Sequence, residues 1–227
     1  MADPPGGREP RVAVWTVGHG TRPLEELVGL LRWAGIRRLW DVRTAPGSRR
    51  HPWFARETLA AALGEAGIAY AWWGRELGGF RRPRPGSRHL ALEHRAFQGY
   101  ADHMETAAFR GALAQLIEEA GAEPTAVMCA ETLWWRCHRR MISDALVAAG
   151  CEVRHLVREG EVEPHRMHPA ARLDEEGRLV YDVGVQPPLP AGAPRPGATR
   201  RPRGTPDAPA AGDARRPAAP SSRPGPS

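Results

Sequence analysis

Short apolar runs alternate along the chain with stretches whose apolar positions recur at helical spacing. RVAVWTVG (11–18) is too short for a helix and reads as a buried strand. Pro23, followed by Glu25 and Glu26, then opens a helix with Leu24, Leu27, Val28 and Leu31 on one face and Gly35 closing it. RRLWDVR (37–43) reads as a second strand, ARETLAAALGEAG (55–67) as a short helix and IAYAWW (68–73) as a third strand. Thr106 is placed to cap a helix that carries Phe109, Leu113, Leu116 and Ile117 on one stripe. TAVMCA (125–130), RRMISDALVAAG (139–150) and CEVRHLV (151–157) continue as strand, helix and strand, and EGRLVYDV (176–183) predicts an edge strand.

This alternation predicts an α/β fold with a mostly parallel sheet and helices on both faces. The domain is expected over 11–183, after a flexible N-terminus at 1–10. From 184 to 227 the chain is rich in Pro, Ala, Gly, Arg and Ser with few large apolar residues. Such a segment buries too little surface to offset its ordering entropy, so a disordered tail is expected.

Composition narrows the chemistry. The chain has 227 residues and 32 cationic side chains, every one Arg, which excludes a Schiff-base or P-loop lysine. The formal charge is +6, but residues 184–227 hold seven Arg against two Asp. The folded part is therefore nearly neutral, and the basic pI is weak support for a nucleic-acid-binding fold. Three cysteines form no disulfide framework and fit a reducing, cytoplasmic setting. No apolar run approaches the roughly 20 residues of a membrane span, so no membrane partner is expected.

Four polar, Gly- and Arg-bearing segments come after the first four predicted strands: GHGTR (18–22), the run from DVR into TAPGSRRHPWF (41–54), GRELGGFRR (74–82) and AETLWWRCHRR (130–140). In a parallel sheet these strand ends share one edge, where open α/β sheets bind ligands. The candidate catalytic residues are Cys129, Cys137, His138, His19, Glu131 and Asp41. Thr21, Arg22, Arg43, Ser48, Arg49 and Arg139 are candidates for holding an anion. Cys137 and His138 fall at a helix start, where the dipole stabilises a thiolate or an anion.

Three chemistries fit. Cys137 could be a thiolate nucleophile with His138 or His19 as its base. Arg136, Arg139 and backbone N–H groups could cradle a phosphate. Cys129, Cys137 and His138, with or without His19, could hold a metal, but the seven-residue gap between the cysteines matches no common zinc spacing, so no metal or other cofactor is assigned. Cys129 also reads as a small buried core residue, Asp41 as a loop-bracing partner of Arg43, and Trp134 and Trp135 as packing residues or a stacking platform. Tyr100 and Asp102 read as a core aromatic and a helix-edge carboxylate that could also face the cleft.

GHGTR, DVRTAPGSRRHPWF, RELGG, FQGYADHMETAAF and CAETLWWRCHRRMISDAL, in that order, resemble the family of domain of unknown function 488 (DUF488) over about residues 14–157. Gly20 stands where that family usually has Ser, and Ala55 where an Asn often follows the Phe. The resemblance carries no assigned reaction and implies a link to DNA repair and nucleic-acid metabolism. Its recurring polar positions fall on His19, Thr21, Arg22, Asp41, Arg43, Ser48, Arg49, Cys129, Glu131, Cys137, His138 and Arg139. A second likeness, in outline only, is to rhodaneses, although the loop after Cys129 is long for that fold.

The expected function is an enzyme-like domain acting on an anionic small molecule, a nucleotide or a nucleic acid. The alternatives are a rhodanese-like sulfurtransferase with a Cys thiolate and a non-enzymatic nucleic-acid-binding module served by the basic tail.

Overall fold

The computed structural model describes residues 11–47 and 51–185. The expected flexible N-terminus at 1–10, residues 186–227 of the disordered tail expected over 184–227, and Ser48 and Arg49 lie outside the described residues.

The apolar runs become strands where the pattern places them. In chain order the elements are β1 (Ala13–Gly18), α1 (Leu24–Trp33), β2 (Arg38–Asp41), α2 (Arg56–Glu65), β3 (Ala69–Trp72), the single turn α3 (Gly74–Leu77), α4 (Arg95–Met104), α5 (Ala107–Ala122), β4 (Thr125–Cys129), α6 (Arg139–Ala148), β5 (Glu152–Arg158), β6 (Glu161–Pro164), β7 (Ala171–Leu173) and β8 (Leu179–Tyr181). Short 3-10 turns at Pro52–Phe54 and Trp134–Arg136 sit in the loops after β2 and β4. Thr106 caps α5 as expected, its Oγ1 accepting from the Phe109 N–H at 3.2 Å.

The main sheet has the order β3-β2-β4-β1-β5-β6 and is parallel except for β6. Alternation along β4 divides the core. Ala126 and Met128 face α1 and α2, joining Leu27, Leu30, Leu31, Leu59 and Leu63. Val127 and Cys129 face the other way, toward Tyr100 of α4, Phe109 and Leu116 of α5, and Met141, Ile142 and Leu146 of α6. Helices thus cover both faces, and each fully buried Leu or Phe contributes roughly 1.5–3 kcal/mol.

Two elements depart from the sequence pattern. The edge strand expected at 176–183 is β8, which pairs with β7 in a separate hairpin rather than with the main sheet. Asp174 closes that hairpin: its Oδ1 accepts from the N–H groups of Glu176 and Arg178 at 3.1 and 2.7 Å. The hairpin then lays Val180 and Tyr181 inward. Next to β5 the main sheet instead ends on β6, antiparallel to β5, with the sequence Glu-Val-Glu-Pro. Charge and Pro are how exposed sheet edges are protected, and they erase the apolar run that would have announced a strand.

Candidate functional site

The carboxyl ends of β1, β2, β3 and β4 meet along one edge. Gly18 lies opposite Cys129, and Asp41 opposite Met128 on one side and Trp72 on the other. The loops leave this edge still tied together: the His19 N–H donates to the Cys129 carbonyl at 3.0 Å, and the Val42 N–H to the Met128 carbonyl at 3.0 Å.

Cys129, Cys137 and His138 form the centre of this edge. The end of β4 delivers Cys129, and the turn into α6 delivers the other two. Their ligating atoms all lie within 4.8 Å of one another. His138 Nδ1 is 3.5 Å from Cys137 Sγ and 3.8 Å from Cys129 Sγ. The other ring nitrogen, Nε2, is 3.2 Å from the Val42 carbonyl. A carbonyl only accepts, so Nε2 carries a hydrogen and Nδ1 faces the sulfurs. Tyr100 backs the ring at 5.2 Å between centroids, its hydroxyl donating to the Leu77 carbonyl at 2.8 Å. On the other side Gly79 of RELGG presses its backbone against the ring: a Cβ there would sit 2.6 Å from Nδ1.

The two thiols differ in character. The hydrogen bond to Cys137, and burial after it, push the Cys129 thiol well above the ordinary range. Burial also disfavours ionisation of Cys137, but the hydrogen bond from Cys129, the neighbouring His138 ring and the Arg139 guanidinium outweigh it and hold Cys137 well below that range. The Arg139 N–H, in the first turn of α6, adds a bond to Cys137 Sγ at 3.5 Å.

Beside this centre, Arg43 clasps Asp41 through Nε at 2.9 Å and Nη2 at 2.6 Å, and Tyr70 donates to the same carboxylate at 2.7 Å. Arg43 Nη1 approaches His19 Nε2 at 3.4 Å, while His19 Nδ1 donates to the Gly20 carbonyl at 3.0 Å. Burial, reinforced by Arg43, lowers the His19 pKa to about 4, so the ring is neutral and stacks on Phe54 at 4.1 Å. Asp41 and His19 therefore position Arg43. Gly20 has φ +55°, and a Cβ there would lie 2.2 Å from Thr132 Oγ1, so the loop has no room for a serine side chain in this arrangement.

A cavity of about 400 Å³ opens over the centre, and Arg43, Cys129, Glu131, Arg136, Cys137 and His138 are among the residues that line it. Of the expected anion-binding arginines, Arg22 spends its guanidinium on the carbonyls of Gly18 and Val157 and on Glu26. Buried Arg139 spends its own on the carbonyls of Glu131 and Thr132 and on Thr16. Both brace loops. Thr21 is exposed in the loop after β1. Arg136 is the contrast: it lines the cavity, is exposed, and its guanidinium bonds to nothing among the described residues. The Glu131 carboxyl is equally unengaged among them.

A second polar cluster lies behind Arg139. Asp144 Oδ1 is 2.8 Å from His165 Nε2, His165 Nδ1 is 2.9 Å from His155 Nε2, and His155 Nδ1 is 2.7 Å from Thr16 Oγ1. Because Arg139 Nη1 donates to Thr16 Oγ1 at 3.4 Å, the hydroxyl hydrogen is free for His155. Neutral histidines then let every donor in the chain meet an acceptor, ending at Asp144, which also accepts from Tyr181 at 2.9 Å. Trp134 covers this chain, stacked on His155 at 4.1 Å and donating to Glu163 at 3.0 Å, whereas Trp135 is exposed. Tyr100 is core, and Asp102 accepts from the Arg84 N–H at 2.9 Å, away from the centre.

Sequence reasoning passed over Gly79, Phe80 and Phe97 at the cavity, and the whole Asp144–His165–His155 chain. The signal for the chain was present, since Asp144 and His155 are polar residues at core-facing positions of a helix and a strand.

The family model described as Domain of unknown function DUF488 matches residues 23–146, more than half of the chain. The chain belongs to the DUF488 family. That span contains the DVRTAPGSRRHPWF, RELGG, FQGYADHMETAAF and CAETLWWRCHRRMISDAL motifs, while GHGTR lies just before it. Within this DUF488 chain the four matched motifs supply Arg43, Gly79, Tyr100 and the Cys129–Cys137–His138 centre. No curated protein and no solved structure matches the chain. Among the described residues, no helix is long and apolar enough to cross a membrane.

Proposed function

We propose that this DUF488 domain is an enzyme that works on an anionic substrate, a nucleotide or a nucleic-acid end, in the cavity at the carboxyl edge of the sheet. The observation that carries this reading is the meeting, in one cavity wall, of the Cys129–Cys137–His138 centre with the guanidinium of Arg136, which is unengaged among the described residues. Arg136 would hold the anion, Arg43 would shape the opposite wall, and the centre would meet the substrate's electrophilic atom. Glu131 and His138 are placed to move protons. A cavity of this size suits a nucleotide-sized ligand. With a DNA end as the anion, the activity would belong to DNA repair, as the family resemblance implies.

Calorimetry on the full chain with inorganic phosphate, pyrophosphate and nucleoside monophosphates tests it. At least one of these binds the wild type, and Arg136→Ala weakens that binding about tenfold or more, as a charge-assisted hydrogen bond of about 1.5–3 kcal/mol implies. If no anion binds, or if Arg136→Ala binds as the wild type does, the reading fails.

The low-lying thiol of Cys137 at the start of α6 favours one further reading, a sulfurtransferase. The Cys137 thiolate would take the outer sulfur of thiosulfate, forming a persulfide as sulfite leaves. Intact-mass analysis after incubation with thiosulfate would show one added sulfur on Cys137. An unchanged mass ends that reading.

A further inference from the structure

The geometry points to a zinc-type metal centre held by Cys129, Cys137 and His138, with a fourth coordination position open to the cavity. Zinc bonds to sulfur at about 2.3 Å and to imidazole nitrogen at about 2.0–2.1 Å, which at tetrahedral angles sets the sulfur–nitrogen edges near about 3.6 Å. His138 Nδ1 already stands 3.5 and 3.8 Å from the two sulfurs. Two of the three edges of a coordination face are therefore already near their metal-bound length, and the sulfur–sulfur edge is within 4.8 Å.

The surroundings match a metal site as well. A ligating histidine commonly donates its other ring N–H to a backbone carbonyl, which fixes the tautomer and aims the lone pair. His138 does this through Nε2 to the Val42 carbonyl. The Arg139 N–H points at Cys137 Sγ, in the manner of a supporting bond to a ligating thiolate. Gly79 and Tyr100 hold the imidazole plane from two sides. Two sulfurs and one imidazole select a borderline-soft ion such as zinc over magnesium or calcium.

The seven residues between the cysteines fit no zinc-knuckle spacing because no knuckle is involved. A strand end and a helix start bring the ligands together across the loop. All three ligand residues line the cavity, so the fourth position faces the space where a substrate would bind. Three protein ligands and one open position are the pattern of a catalytic rather than a structural zinc site. There the metal would lower the pKa of a bound water, and Glu131 on the same wall would accept the proton released. This deepens the proposed function, resting on it only for the identity of the substrate. It also separates the anion-substrate enzyme from the sulfurtransferase, since a zinc-bound Cys137 cannot carry a sulfane sulfur.

The test is the metal content of the full chain, purified, exposed to zinc and desalted. The expected result is one zinc per chain. In Cys129→Ser and Cys137→Ser the affinity falls by more than the roughly 10–100-fold that loss of a supporting residue costs. Cys151→Ser, a buried thiol outside the group, keeps its zinc. Only trace metal in the wild type, or full loading in both variants, would overturn the inference. Should a variant fail to fold, cobalt titration of the metal-free wild type decides. Intense d–d bands with a thiolate-to-cobalt charge-transfer band support the site, and a weak octahedral spectrum without that band rules it out. Calorimetric binding of phosphate, pyrophosphate and nucleoside monophosphates by the metal-free protein reports on the cavity independently, so the two ideas fail separately.

Discussion

Two histidine clusters lie on opposite sides of Arg139, and they differ in what their polar atoms have left to do. In the Asp144–His165–His155–Thr16 chain every donor meets an acceptor, and Trp134 seals it. In the Cys129–Cys137–His138 centre one ring nitrogen is committed to the Val42 carbonyl, and Cys137 Sγ accepts from the Arg139 N–H. The remaining sulfur and nitrogen atoms face one another and the cavity. A buried network whose hydrogen bonds all close within the protein stabilises and orients. A cluster with uncommitted lone pairs at a cavity wall is available for chemistry. Arg139 links the two, since its guanidinium reaches Thr16 on one side and the Glu131 carbonyl on the other. The closed chain is thus the mount for the loop that carries Glu131 and Arg136.

The contrast is sharpest for Asp144→Ala. It strips acceptors from His165, Tyr181 and the His168 N–H. At roughly 1–3 kcal/mol for each buried donor left unpaired, the loss is expected at about 3 kcal/mol or more. Urea unfolding checks this, and a change under about 1 kcal/mol would mean the chain is not the mount.

Acid should act next. Burial, with His165 behind it, lowers His155 to about 3, and His19 sits at about 4. Unfolded histidines bind protons near about pH 6.5 while these folded ones stay neutral. Stability from these two groups is therefore intact above about pH 6.5 and is lost as pH falls toward about 4 for His19 and about 3 for His155, by up to about 1.4 kcal/mol per unit for each ring. A urea midpoint that stays flat between about pH 6.5 and about pH 4.5 would contradict the assignment.

Gly79→Ala is expected to cost roughly 1–2 kcal/mol, because the added Cβ meets the His138 ring and either the loop or the ring must shift. Its larger effect falls on the centre, read as a drop in zinc loading or in Cys137 reactivity. Full retention of both would show that the ring has room to move. Arg136→Ala should leave stability within about 0.5 kcal/mol of wild type while weakening anion binding. A large loss of stability would place Arg136 with the bracing arginines.

Several of these features were legible in the sequence. The strand–helix alternation predicted the parallel sheet, and the polar segments at the strand ends placed His19, Asp41, Cys129 and the Cys137–His138 pair along one edge. The motif order predicted the family. The edge strand was misplaced because β6 carries charge and Pro, while the stretch at 176–183 forms its own hairpin through Asp174.

What the sequence alone determined is the order of elements and the edge at which the polar motifs gather, because periodicity and glycine punctuation act over a few residues. Which arginine is unengaged among the described residues and which is a brace was decided only by the tertiary structure. Arg22, Arg136 and Arg139 look alike along the chain, but carbonyls from residues up to 135 positions away claim two of them and leave the third. The meeting of Cys129 with Cys137 and His138 is of the same kind: it depends on where β4 ends relative to the start of α6, a distance in space that the seven intervening residues do not record.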